Sequence, residues 1–215
     1  MGQIIWIARH ANRLDFVNPD WFLTAPRRYD PPLSEDGFEQ AQQLAKRLRG
    51  ENIRHIFASP FLRTVQTAHA VASVLELPIY LETGLSEWLN PAWMTENPQK
   101  HTLEELMLSY PQIDPGYTPR IAANYPETKA EVRQRSGQTA RCLARECSPN
   151  DILLVGHGAS VMGAAMGLVG KIAEKEVKAS LCSLVKVVCQ ETAWFLELSG
   201  DTSHLTGVEE IIRFN

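Results

Sequence analysis

The apolar positions of this chain fall into short runs and helical stripes that follow one another in a regular order. Ile4-Ile5-Trp6-Ile7-Ala8 is β-branched and aromatic and too short for a helix, so it reads as a strand over 3–8 that stops at Arg9-His10. A loop of turn formers and aromatics runs from Ala11 to Leu33. Ser34 then has the place of an N-cap, Phe38, Ala41, Leu44, Ala45 and Leu48 follow at helical spacing, and Gly50 ends the helix. Residues 53–59 predict a second strand, and a helix from about 62 to 75 places Val65, Ala68, Ala72 and Leu75 on one face. Residues 78–81 predict a short third strand. Between 88 and 126 the periodicity fades, punctuated by Pro91, Pro98, Pro111, Pro115, Pro119 and Pro126, with one helix expected over 102–109. A helix over about 127–147 turns Val132, Ser136, Thr139 and Leu143 inward. The continuous run Ile152-Leu153-Leu154-Val155 suits a strand buried on both faces. Gly156-His157-Gly158 and a small-residue helix to about 169 follow. Two last strands, 184–188 and 194–198, are close enough to pair as a hairpin.

The order β-α-β-α-β, an insertion, then α-β-α-β-β predicts an α/β fold. It is a three-layer sandwich whose central sheet is mostly parallel with an antiparallel edge. No linker divides the 215 residues, so one domain over 1–215 is expected, with the insertion at about 88–126 packed over the sheet edge and the site.

Composition narrows the function by exclusion. The net charge of -4 argues against nonspecific nucleic-acid binding, so any anion site must concentrate positive charge locally. Cys142, Cys147, Cys182 and Cys189 form no CxxC pair, which fits neither a zinc site nor a disulfide framework and suits reduced thiols in the cytoplasm. No apolar run approaches the ~20 residues of a membrane span. The first strand starts without a preceding basic segment, so neither a leader peptide nor a membrane partner is expected.

The chemistry lies where the strands stop. One ends at Arg9-His10, one at Ser59-Pro60-Phe61-Leu62-Arg63, and one at Gly156-His157-Gly158. Ligands of open α/β sheets bind outside the carboxyl ends of the strands. If the three strands are parallel, His10, Arg63 and His157 project at one edge together with helix N-termini. Imidazoles and guanidiniums converging there repel one another unless an anion lies between them, and a guanidinium fork matches phosphate oxygens bidentately.

These segments make the chain resemble the histidine phosphatase superfamily, the phosphoglycerate-mutase-like enzymes. Arg9-His10, Leu33-Ser34-Glu35-Asp36-Gly37-Phe38-Glu39-Gln40-Ala41, Ser59-Pro60-Phe61-Leu62-Arg63-Thr64-Val65-Gln66-Thr67-Ala68 and Gly156-His157-Gly158 match that family's elements in order. Pro126-Glu127-Thr128 with Arg133 looks like the segment that opens a late helix in many members. Arg9-His10-Ala11-Asn12-Arg13, Asp30-Pro31-Pro32-Leu33-Ser34 and Glu82-Thr83-Gly84-Leu85-Ser86-Glu87-Trp88 are most similar to one branch. It comprises the suppressor-of-T-cell-receptor-signalling phosphatases and ecdysteroid-phosphate phosphatase. Ala11 stands where a Gly is usual and Asn12 where a Glu is usual, which moves the search for a proton donor to Glu87.

The resemblance implies phosphomonoester hydrolysis through a phosphohistidine. It makes His10 the nucleophile, Glu87 the acid and base, and His157 a catalytic partner, with Arg9, Arg13 and Arg63 binding phosphate. It implies no metal and no cofactor. Trp88, Trp93, Trp21, Phe22 and Tyr29 come from loops expected around the site, so an apolar rim selecting a bulky or aryl phosphate is expected, on a small molecule or a phosphoprotein. Two alternatives stay open: a phosphoglycerate mutase and a non-catalytic module that binds phosphorylated ligands. Residues 88–126 carry only Lys100 and Arg120 against Glu96, Glu104, Glu105 and Asp114, which is little positive charge for gripping a phosphoglycerate. A homodimer paired through a late strand is also left open.

Overall fold

The computed structural model describes residues 2–206. The strands are β1 (Ile4–Arg9), β2 (Ile53–Ala58), β3 (Ile79–Leu81), β4 (Asp151–Gly156), β5 (Leu184–Gln190) and β6 (Ala193–Asp201). The helices are α1 (Leu14–Val17), α2 (Trp21–Thr24), α3 (Glu35–Leu48), α4 (Leu62–Leu75), α5 (Leu103–Ser109), α6 (Lys129–Cys147) and α7 (Gly158–Val169). A 3₁₀ turn, Thr83–Leu85, follows β3. The sheet order is β3-β2-β4-β1-β5-β6. β1 to β4 run parallel, β5 is antiparallel to β1, and β6 is antiparallel to β5.

The alternation of side chains along each strand explains the three layers. Trp6, Ala8, Ile56, Ala58, Leu153 and Val155 face α3 and α4, whereas Ile5, Ile7, Phe57, Ile152 and Leu154 face α6 and α7. β4 is buried on both faces, as its unbroken apolar run requires. Fully burying one such Leu or Ile contributes about 1.5–3 kcal/mol, so the sheet and its two helical layers hold the strand ends firmly.

Capping fixes where the helices start. The Ser34 side chain accepts from Gly37 N–H at the start of α3. Thr102 and Thr128 form reciprocal capping boxes with Glu105 and Glu131 at α5 and α6. The box at Thr128 starts α6 at Lys129, so Glu127, expected within the helix, lies outside it. Phe38, counted on the core face by its spacing, is 47% exposed. Its neighbour Gly37 instead takes the inward place, against the backbone of Asn12.

Residues 112–114 run beside β3. Ile79 N–H donates to Gln112 O and Asp114 N–H to Ile79 O, so β3 is covered on its outer side. Leu106 and Ile113 pack into the α3/α4 layer. Among the described residues no helix is long and apolar enough to cross a membrane.

Candidate active site

Register brings the strand ends level. Arg9 pairs with Gly156 across β1 and β4, and Ala58 pairs with Val155 across β2 and β4. The ladder continues one residue further: His10 N–H donates to Gly156 O and Ser59 N–H to Val155 O. His10, Ser59 and His157 therefore emerge side by side, and α7 begins directly after His157 with its N-terminus toward them.

His10 is fully buried. Its Nδ1 lies 2.8 Å from Ala11 O, a contact only Nδ1–H satisfies, which leaves the lone pair on Nε2. Nε2 itself has no hydrogen-bond partner among the described residues. Burial, and then Arg63, His157, Arg9 and Arg13, hold the imidazole well below its ordinary 6.5, so it is neutral.

The His157 ring sits 5.3 Å from that of His10. Arg63 Nη2 donates to its Nδ1 at 3.2 Å, and its Nε2 is 2.8 Å from Ser59 Oγ. Burial pushes His157 down to about 4, with Glu87 opposing and Arg63 assisting.

Arg63, in the first turn of α4, is 1% exposed and donates to Glu87 Oε2 at 3.1 Å. Burial lowers it to about 10, with Arg13 assisting and Glu87 and Asp30 opposing. Arg9 closes β1, donates to Ala179 O at 2.9 Å, and is likewise lowered to about 10 by burial. Burial alone would raise Glu87, but His157, Arg63 and His10 outweigh it and hold the carboxyl well below its ordinary 4.5. Arg13 also lines the cavity, paired with Asp15 at 2.5 Å and lying 4.5 Å over the Phe16 ring.

The cavity holds about 470 Å³. Its floor is Arg9, Arg63, Glu87 and Gly158, and its wall is Phe16, Phe22, Tyr29, Trp88, Trp93 and Met94. Trp21, expected in that wall, is turned away with its indole N–H on Arg28 O. Asn12, in place of the usual carboxylate, binds Asp36 and Gln40 of α3 and takes no part in the cavity.

Several residues of the site carried no role in the sequence reading. Asp30 is buried, accepts from Leu62 N–H at 2.7 Å and lies 4.0 Å from Arg63. The first amide of α4 is therefore already satisfied. Ser59 and Asp30 both sit in quoted motifs, and a buried polar residue beside a strand end was the available signal. Glu82 is fully buried but is consumed by Gly84 N–H, Tyr117 OH and Arg120 N–H, whereas Glu87 is the cavity carboxyl beside Arg63 and His157.

Among the described residues, His10, Glu87 and His157 bring three donor atoms within 4.8 Å of one another. The Arg63 guanidinium already binds two of them, at 3.1 and 3.2 Å. With Arg9 and Arg13 nearby, the arrangement suits an oxyanion far better than a cation.

A model of the histidine phosphatase superfamily (branch 1) matches residues 5–202. The "Transcription factor tau 55 kDa subunit" of Saccharomyces cerevisiae is 26% identical over 96% of this chain, which spans 57% of that protein's length. The "Probable phosphoglycerate mutase GpmB" of Photorhabdus laumondii is 32% identical, covering 82% of this chain and 84% of its own. The crystal structure of the ecdysone phosphate phosphatase from Bombix mori, in complex with tungstate, superimposes with a TM-score of 0.80. It is 21% identical and covers 99% of this chain and 98% of that one, a likeness of fold.

Proposed function

Since the chain belongs to branch 1 of the histidine phosphatase superfamily, we propose that it is a metal-independent phosphomonoester hydrolase working through a phosphohistidine on His10. One observation carries this reading. The buried, neutral His10 has no hydrogen-bond partner on Nε2 among the described residues and lies within 4.8 Å of Glu87, which lines one cavity with Arg9 and Arg63.

In the proposed reaction, Nε2 attacks phosphorus in line with the ester oxygen, forming the N–P bond as the P–O bond breaks. Arg9, Arg63, His157 and, from the rim, Arg13 hold the equatorial oxygens and meet the charge of the transition state. Glu87 protonates the departing oxygen. It then takes a proton from the water that attacks phosphorus, which breaks the N–P bond and releases inorganic phosphate. Without substrate Glu87 is a carboxylate. An adjacent phosphate dianion favours its protonated form, so the acid is armed as substrate binds. The same dianion raises His157.

The aromatic wall supports a bulky or aryl phosphate as substrate. The mutase-named relatives support a second reading, transfer between positions of a phosphoglycerate. Against it, Lys129 and Arg133, the two cations of the outer wall, both pair with Glu174, which leaves little charge for a substrate carboxylate.

The test is hydrolysis of an aryl phosphate in EDTA by the wild type and His10→Ala, with acid quench to trap the phosphoenzyme. Activity surviving the substitution or requiring metal refutes the mechanism. Mutase turnover exceeding hydrolysis favours the second reading, and binding without turnover favours a non-catalytic module.

A further inference from the structure

The carboxyl of Glu87 sits on a loop with no regular structure between the 3₁₀ turn and α5. Such a segment has no ladder of its own to fix a side chain, so something else must hold it. Arg135, in the second turn of α6, does so with most of its donors. Its Nη1 reaches Gly84 O at 2.9 Å and Ser86 O at 3.2 Å, and its Nη2 reaches Glu87 O at 3.1 Å. Its Nε donates to Glu127 Oε2 at 3.0 Å, and Nη2 also pairs with Glu127 Oε1. Glu127 extends the grip: its Oε1 accepts from Leu89 N–H and its carbonyl from the Trp88 indole N–H. Both side chains are 6% exposed.

Three carbonyl oxygens converging on one point repel one another unless a cation lies between them. The planar guanidinium with its five donors satisfies them together, where an ammonium presents a compact point charge. The loop also lies directly against the helix. A Cβ at Gly84 would come within 2.0 Å of Thr139 Oγ1, so only glycine admits this approach. From the loop so fixed, Glu87 Oε1 accepts from Trp88 N–H at 3.0 Å and Oε2 faces Arg63 and His157.

We infer that Arg135 is a positioning residue for proton transfer, aiming the Glu87 carboxyl at the leaving oxygen and setting Trp88 in the cavity wall through Glu127. The inference rests on the proposed role of Glu87.

The experiment compares kcat/KM for the wild type, Glu87→Gln, Arg135→Lys and Glu127→Gln with p-nitrophenyl phosphate and with an alkyl phosphate. The nitrophenolate leaves without a proton and the alkoxide does not. Glu87→Gln is expected to lower the alkyl value about 10²-fold and the nitrophenyl value far less. Arg135→Lys should show the same grading, about 10-fold on the alkyl ester and within about threefold on the nitrophenyl ester. The burst of phosphohistidine counts competent sites and separates misfolding from misplacement. If Arg135→Lys does not fold, Glu127→Gln decides, with a graded loss supporting the inference and a uniform one overturning it. A grading in Glu87→Gln with a uniform loss in Arg135→Lys overturns the inference alone. No grading in Glu87→Gln removes the proton-donor reading itself and the inference with it.

Discussion

Ser59 Oγ lies 2.8 Å from His157 Nε2, and both side chains are fully buried. On the other side of the ring, Arg63 Nη2 and Glu87 Oε2 lie 3.2 and 3.3 Å from Nδ1. Ser59 thereby holds the imidazole with Nδ1 toward Glu87 and Arg63. Ser59→Ala leaves a buried ring nitrogen without its partner, which costs about 1–3 kcal/mol, and frees the ring to turn. The expected outcome is a kcat/KM lower by about 10-fold, with a changed ¹⁵N signature of His157. An unchanged signature together with unchanged kinetics would show that Ser59 is only a neighbour.

Gly37→Ala should damage fold and activity together. The new Cβ would lie 2.1 Å from Asn12 O, a backbone atom that cannot swing aside. Either α3 retreats or the segment after His10 moves, at about 1–3 kcal/mol. Gly50 has nothing within 4 Å of its would-be Cβ, so Gly50→Ala serves as the control and should leave stability and turnover intact. Urea unfolding and kcat/KM of the pair check this, and equal behaviour of the two variants contradicts it.

Acid should unfold this protein through its site histidines. His157 is held at about 4 and His10 well below its ordinary 6.5, whereas both titrate near ~6.5 once unfolded. As pH falls from about 6.5 to about 4 the unfolded chain takes up protons that the folded site refuses. The stabilisation is therefore complete above the unfolded value and is lost toward acid, roughly 3 kcal/mol for His157 alone. His157→Asn should flatten the loss between neutral pH and about pH 4.5 in urea titrations. Parallel curves for variant and wild type would refute the linkage.

The aromatic wall makes a prediction about specificity. Trp88 and Trp93 meet edge to face at 4.9 Å, and Trp93 is 43% exposed at the mouth. Trp93→Ala is expected to raise KM for a naphthyl phosphate several-fold, about what partial loss of one aromatic contact costs. Inhibition by inorganic phosphate, which touches only the floor, should be unchanged. A matching loss in phosphate inhibition would place the effect on the floor instead.

The acid stability and the orientation of His157 both depend on contacts that periodicity does not record. Hydrophobic spacing and turn chemistry determined the order of elements, the cap at Ser34 and the fact that three strands stop at Arg9-His10, Ser59 and His157. These are local consequences of backbone geometry and of which face must be buried, so the sequence carries them directly. Tertiary structure decided what those ends become. The register of β1, β2 and β4 sets His10, Ser59 and His157 level, and in α3 Gly37 lies against Asn12 while Phe38 is exposed. Arg13 lines the cavity with Asp15 as its partner, and Trp21 turns from the cavity it was expected to line. Arg135 and Glu127 take hold of a loop roughly forty to fifty residues away in sequence, which no spacing rule anticipates. Arg9-His10 marked the site because a strand must end somewhere. Desolvation and the neighbouring guanidiniums, which exist only once the sheet has closed, are what hold His10 neutral.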